Sequence, residues 1–113
     1  MNVLFVCSLN QWRSPTAEQV FKNTPGLSVR SAGVSSAAKH KISEADLTWA
    51  HHVFVMEYEH RDRIVQKFSP DLLPEIHVLG IGDDFPFMDK SLVEIFETEV
   101  REVILDLLEK HQK

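Results

Sequence analysis

The chain has 113 residues, 43% of them hydrophobic and 26% charged, the make-up of one small globular domain spanning 1–113 rather than of a disordered tail. Twelve Lys and Arg against seventeen Asp and Glu leave a net charge of −5, which argues against a global positive field for nucleic acid or anionic lipid. A single cysteine leaves no intramolecular disulfide to make, and no apolar run approaches the roughly 20 residues of a membrane span. With no basic stretch ahead of the first strand-like run, we expect neither a signal peptide nor a membrane anchor, and a cytoplasmic location.

Residues 2–6, Asn-Val-Leu-Phe-Val, form a β-branched and aromatic run without alternation, the pattern of a central strand covered on both faces. A helix is expected over 15–23, opened by Pro15 and Glu18, with Ala17, Val20 and Phe21 on one face and Thr24-Pro25-Gly26 as its stop. Residues 27–33 alternate Leu27, Val29 and Ser31 against Ser28 and Arg30, a second strand, and the Gly, Ser, Ala and Lys of 33–42 read as a loop. Ser43 and Asp46 have capping-box spacing for a helix to Trp49, and 52–56 is a third strand. A helix over 58–68 is expected to turn Tyr58, Arg61, Ile64, Val65 and Phe68 along one stripe, followed by a strand over 76–81. After the turn-rich 82–89 comes a long helix whose stripe holds Leu92, Ile95, Phe96, Val100, Val103, Ile104, Leu107 and Leu108. Strands alternating with helices give an α/β fold, a doubly wound four-stranded parallel sheet in three layers, with its ligand site at the carboxyl ends of the strands.

The loop between the first strand and the first helix reads Cys7-Ser8-Leu9-Asn10-Gln11-Trp12-Arg13-Ser14-Pro15. A loop winding into a helix N-terminus presents successive N–H groups to an anion, and the helix dipole adds to that field. A thiolate of Cys7 on its floor is stabilised by the same donors and by Arg13, whose planar fork matches two phosphoryl oxygens. The Ser14 hydroxyl is placed to donate to that thiolate, so the residue types suit phosphoryl transfer through a cysteine nucleophile.

On this loop the sequence resembles the low-molecular-weight protein tyrosine phosphatase family, whose members carry an N-terminal strand, a Cys-x5-Arg-Ser-Pro loop and a helix. The resemblance implies the phosphotyrosine protein phosphatase I-like fold in a short, divergent bacterial-type member. It makes Cys7 the nucleophile, Arg13 the phosphate clamp, residues 8–14 the phosphate-binding loop, and Asn10, Ser14 and Ser31 its supports. It also implies an Asp general acid on the loop after the fourth strand; counting back from the last helix gives Asp83, with Asp84 the alternative. Leu9, Trp12, Phe85 and Phe87 would wall the pocket. Leu9 stands where the family usually has Gly, and Trp12 where many members carry a second cysteine, so a protective vicinal disulfide is not available. The segments after Gly33 and before Ile76 are trimmed relative to the family.

The activity so implied is hydrolysis of a phosphomonoester through a phosphocysteine intermediate, with a phosphotyrosine protein as substrate. Inorganic phosphate, sulfate or vanadate would be competing ligands, and no metal or cofactor is expected. His51 and His52 are adjacent, and His40, His60, His77 and His111 lack metal-ligand spacing. Two other readings share the loop: a glutathione-assisted arsenate reductase, and a pseudophosphatase or interaction module in which Leu9 and Trp12 partly fill the site. A sugar-transport phosphocarrier of similar length would lack Arg13.

Overall fold

The computed structural model describes residues 1–112. Four parallel strands, β1 (Asn2–Cys7), β2 (Ser28–Gly33), β3 (His52–Val55) and β4 (Glu75–Val78), form one sheet in the order β2-β1-β3-β4. The helices are α1 (Arg13–Phe21), α2 (Glu44–Trp49), α3 (Tyr58–Lys67), α4 (Lys90–Ile95) and α5 (Arg101–His111). A 3-10 turn, Pro70–Leu72, leads into β4. The three-layer α/β expectation is met, and the architecture follows from the alternation within β1.

Val3, Phe5 and Cys7 point to one face, where they pack with Ala17 and Phe21 of α1 and with Leu92, Phe96, Ile104 and Leu108. Leu4 and Val6 point to the other, against Leu47 of α2 and Ile64 of α3. Phe5 anchors the first face: its ring stacks on Phe21 at 5.6 Å and meets Phe54 at 5.7 Å and Phe96 at 6.2 Å. With both faces covered, β1 has no polar side and reads as the continuous apolar run seen in the sequence.

Several elements differ from expectation. α1 starts at Arg13, two residues early, because Trp12 already occupies the N-cap position and its carbonyl accepts from the Thr16 N–H. β4 ends at Val78 rather than 81: Gly80 adopts φ +73°, in the left-handed region, and turns the chain so that the Ile81 N–H bonds the Met56 carbonyl. The final helix is interrupted by a π-helical turn, Phe96–Val100, between α4 and α5. Its buried residues Leu92, Phe96, Val100, Ile104 and Leu108 recur at strict intervals of four. An α-helix of 3.6 residues per turn rotates such a row progressively off its face, and the wider π turn absorbs that drift.

In α3 the inward residues are His60 and Ile64, with Phe68 at the C-cap, whereas Tyr58 is 65% and Val65 47% exposed. The expected stripe is therefore rotated toward His60. Among the described residues, no helix is long and apolar enough to cross a membrane.

Candidate active site

β1 lies between β2, reached through α1 on one face, and β3, reached through α2 on the other, so the winding direction switches beside the carboxyl end of β1. Cys7 is the last residue of β1, 3% exposed, at that switch point. Cys7, Ser8, Leu9, Gln11, Trp12, Arg13 and Asp83 line a cavity of about 120 Å³.

The loop's shape is set by partners outside it. The Cys7, Ser8 and Leu9 carbonyls accept from the N–H groups of Val34, Ser35 and Lys39 at 3.0, 3.0 and 3.1 Å. Across a trans peptide the N–H points opposite to the C=O, so Ser8 and Leu9, whose preceding carbonyls are so engaged, turn their N–H groups away from the 34–39 segment. The small-residue segment after β2 thus orients the loop. Gly33 permits the approach: a Cβ there would sit 2.5 Å from the Ser8 carbonyl oxygen and 2.6 Å from the Ala38 Cβ.

Behind the loop runs a buried hydrogen-bond chain. Asn10 has φ +55°, a region asparagine tolerates better than most residues, and its Nδ2 donates to Ser14 Oγ at 3.0 Å and to Ser31 Oγ at 2.9 Å. Ser31 Oγ in turn donates to Glu18. Ser14 Oγ lies 3.0 Å from Cys7 Sγ and 3.3 Å from the Ala32 carbonyl oxygen. The structure therefore brings Asn10, Ser14 and Ser31 together, with Asn10 and Ser14 buried behind the cysteine.

Arg13 is 5% exposed; its Nη1 forms an ion pair with Glu57 and donates to the Ile81 carbonyl at 2.8 Å. Arg13 is thereby tied to the segment that carries Asp83. Asp83 is exposed and lines the cavity, whereas the Asp84 carboxylate folds back to within 3.7 Å of the Cβ position of Gly82 and does not line it. Leu9 and Trp12, 40% and 47% exposed, stand at the mouth without closing it.

The two phenylalanines depart from expectation. Phe85 packs against the core and lines a separate depression with Ile95 and Val100, and Phe87 sits with Trp12 and Pro15 on the far side of the loop. The cause is the route of residues 84–89: Met88, at φ +59°, donates its N–H to Thr16 Oγ1 at 2.9 Å and draws the segment onto α1.

Two site residues escaped the sequence reading, Glu57 and His60, at the N-terminus of α3. The Glu57 N–H donates to His60 Nδ1 at 3.1 Å, and His60 Nε2 lies 2.9 Å from Ser8 Oγ. Burial, reinforced by the Arg13 guanidinium, holds the His60 imidazole below its ordinary value, so the ring is neutral at pH 7. With Nδ1 accepting, the single proton sits on Nε2 and is donated to Ser8 Oγ, which leaves the Ser8 proton free for a ligand. The three-residue spacing of Glu57 and His60 as a capping box was the available signal.

A profile described as low molecular weight phosphotyrosine protein phosphatase matches residues 2–72, which take in Cys7, Arg13, Ser31, Glu57 and His60. The chain belongs to this family. A protein-arginine-phosphatase of Geobacillus stearothermophilus is 34% identical, the match covering 58% of this chain and 61% of that protein. The chain thus spans less than two-thirds of that curated relative. An arginine phosphatase structure from Geobacillus stearothermophilus superposes with a TM-score of 0.71 at 26% identity, over 98% of this chain and 92% of that one. A protein tyrosine phosphatase structure from Entamoeba histolytica shares the family fold, with a TM-score of 0.76 at 19% identity over 98% and 99% of the two chains. The loop bearing Asp83 follows the profile match.

Proposed function

We propose that the protein is a cysteine-dependent protein phosphatase working through a phosphocysteine intermediate. The observation that carries this reading is the single cavity wall that joins Cys7, Arg13 and Asp83, with Ser14 Oγ 3.0 Å behind the Cys7 sulfur. The Cys7 thiolate attacks phosphorus in line, while Arg13 and the Ser8 and Leu9 amides hold the equatorial oxygens. Asp83 protonates the departing group and then, ionised, takes a proton from the water that hydrolyses the phosphocysteine. The side chains supply nucleophile, charge neutralisation and proton transfer, so the scheme calls on no metal.

Phosphotyrosine is the first substrate reading, with Trp12 at the cavity mouth as the ring's contact. A second reading, phosphoarginine, is favoured by the arginine-phosphatase relative and by the mouth itself, where the polar Gln11 and Asp83 line the cavity and Phe85 and Phe87 are turned away. Steady-state kcat/KM on matched phosphotyrosine and phosphoarginine peptides, wild type beside Cys7→Ser, tests both. Turnover of either that requires Cys7 supports the phosphatase reading, and the larger kcat/KM assigns the substrate. Binding of phosphate or vanadate without turnover of any phosphorylated peptide would replace it with the interaction-module reading.

A further inference from the structure

At the end of the sheet opposite Cys7, the strands bring together residues far apart in sequence. His52 opens β3 and is in register with Glu75, which opens β4; His77 lies two residues further along β4 on the same face. His52 Nδ1 is 3.0 Å from His77 Nε2 and 3.7 Å from Glu75 Oε2, and His77 Nε2 is 4.0 Å from Glu75 Oε1. One potential ligand atom from each residue lies within 4.8 Å of the other two.

The two rings are held by packing rather than free on the surface. Their side chains are 16% and 22% exposed, their centroids are 5.2 Å apart, and His77 also stacks on Phe54 at 4.6 Å, itself against the Phe5 cluster. Glu75, 66% exposed, is free to adjust. From these residues we infer that His52, Glu75 and His77 form a binding site for a divalent transition-metal ion, zinc by the chemistry of the set.

Imidazole nitrogens bind zinc at about 2.0–2.1 Å, and two nitrogens 3.0 Å apart then subtend roughly 95° at the ion, within reach of a tetrahedral site after a few tenths of an ångström of relaxation. The carboxylate, beyond hydrogen-bond distance of both rings, supplies the third ligand by a rotamer change, and water the fourth. Two imidazoles with one carboxylate suit zinc, nickel or copper and not magnesium or calcium, which take oxygen ligands. Without an ion, one ring donates an N–H to the other; the donor ring shifts that proton to its second nitrogen so that both lone pairs face the ion.

The site is separate from the proposed reaction. His52 is in register with Val3, four residues before Cys7, or about 13 Å along the strand. It clasps β4, which among the described residues is an edge strand paired to β3, and β4 leads at its far end into the loop of Asp83. The role fitted to this place is stabilisation of the sheet edge.

The test is equilibrium dialysis of the 113-residue Cys7→Ser protein against zinc chloride, the substitution removing the thiol as a competing ligand. One zinc per chain is expected, with affinity at least tenfold weaker in Cys7→Ser proteins that also carry His52→Gln or His77→Gln. Zinc should raise the melting temperature of the Cys7→Ser parent by about 5 °C or more and leave the histidine variants unmoved. Should a variant fail to fold, ring-nitrogen NMR of the parent decides: zinc moves His52 Nδ1 and His77 Nε2. No binding at 100 μM-order zinc, undiminished binding in both variants, or shifts confined to His51 and His111 would overturn the assignment.

Discussion

Ser14→Ala isolates the contact nearest the reacting sulfur. Ser14 is fully buried, accepts a hydrogen bond from Asn10 Nδ2, and has two acceptors for its own proton, Cys7 Sγ at 3.0 Å and the Ala32 carbonyl at 3.3 Å. With Cys7 as a thiol, the S–H donates to Oγ and the Ser14 proton turns to Ala32; with Cys7 as a thiolate, the proton turns to sulfur. A hydrogen bond to a charged group contributes about 1.5–3 kcal/mol, so its removal should lower kcat/KM roughly 10- to 150-fold. The fold is less affected, because Asn10 retains Ser31 as an acceptor: about 1 kcal/mol, or roughly 4–8 °C in melting temperature. The assay is hydrolysis of para-nitrophenyl phosphate across pH 5–8, with thermal unfolding of the same samples. A loss below about threefold, or a loss that tracks unfolding, would refute thiolate stabilisation by Ser14.

Asp83→Asn should slow hydrolysis of a phosphotyrosine peptide by about 100-fold or more and that of para-nitrophenyl phosphate much less, because the better leaving group needs less protonation, while Asp84→Asn leaves both rates within about twofold. Equal losses on both substrates would remove Asp83 from the acid role. His60 has its folded pKa lowered, so the unfolded chain binds the proton more readily below the ordinary value of about 6.5. Its contribution to stability is fully present above that pH and is lost as pH falls through it. Urea unfolding at pH 7 and pH 5 should therefore show a smaller acid-side loss for His60→Gln than for wild type. Gly33→Ala forces a Cβ against the Ser8 carbonyl and Ala38 and should cost about 1–3 kcal/mol, read as a lower urea midpoint with reduced turnover. An unchanged midpoint would show that the 34–39 segment does not fix the loop.

Much of the fold was legible because its signals are local. The unbroken apolar run of β1, the Ser43 and Asp46 capping box, and the acid-flanked apolar row of the last segment each report an element through its own residues. Cys7, Arg13 and Ser14 were legible for the same reason: one loop carries them, and its place after the first strand puts it at the switch point. What was hidden depends on tertiary contact. Apart from the capping-box spacing of Glu57 and His60, the sequence of α3 does not say that His60 rather than Val65 faces inward, because the choice is made by Ser8, 52 residues earlier, and by the ion pair of Glu57 with Arg13. The turning away of Phe85 and Phe87 follows from the bond between Met88 and Thr16, across 72 residues. The π turn was hidden too: Ile95, Val103 and Leu107 complete an ordinary helical stripe in the sequence, and only burial shows that Leu92, Phe96, Val100, Ile104 and Leu108 recur at intervals of four.

The central claim is that Cys7 carries the phosphoryl group, and the direct measurement is intact-protein and peptide mass spectrometry after acid quench of a reaction with excess para-nitrophenyl phosphate. The account predicts a phosphoryl increment on the peptide containing Cys7, absent from Cys7→Ala and accumulated when Asp83→Asn slows hydrolysis. Turnover of wild type with no increment on Cys7 at any quench time in the Asp83→Asn protein, or turnover that survives Cys7→Ala, would contradict it.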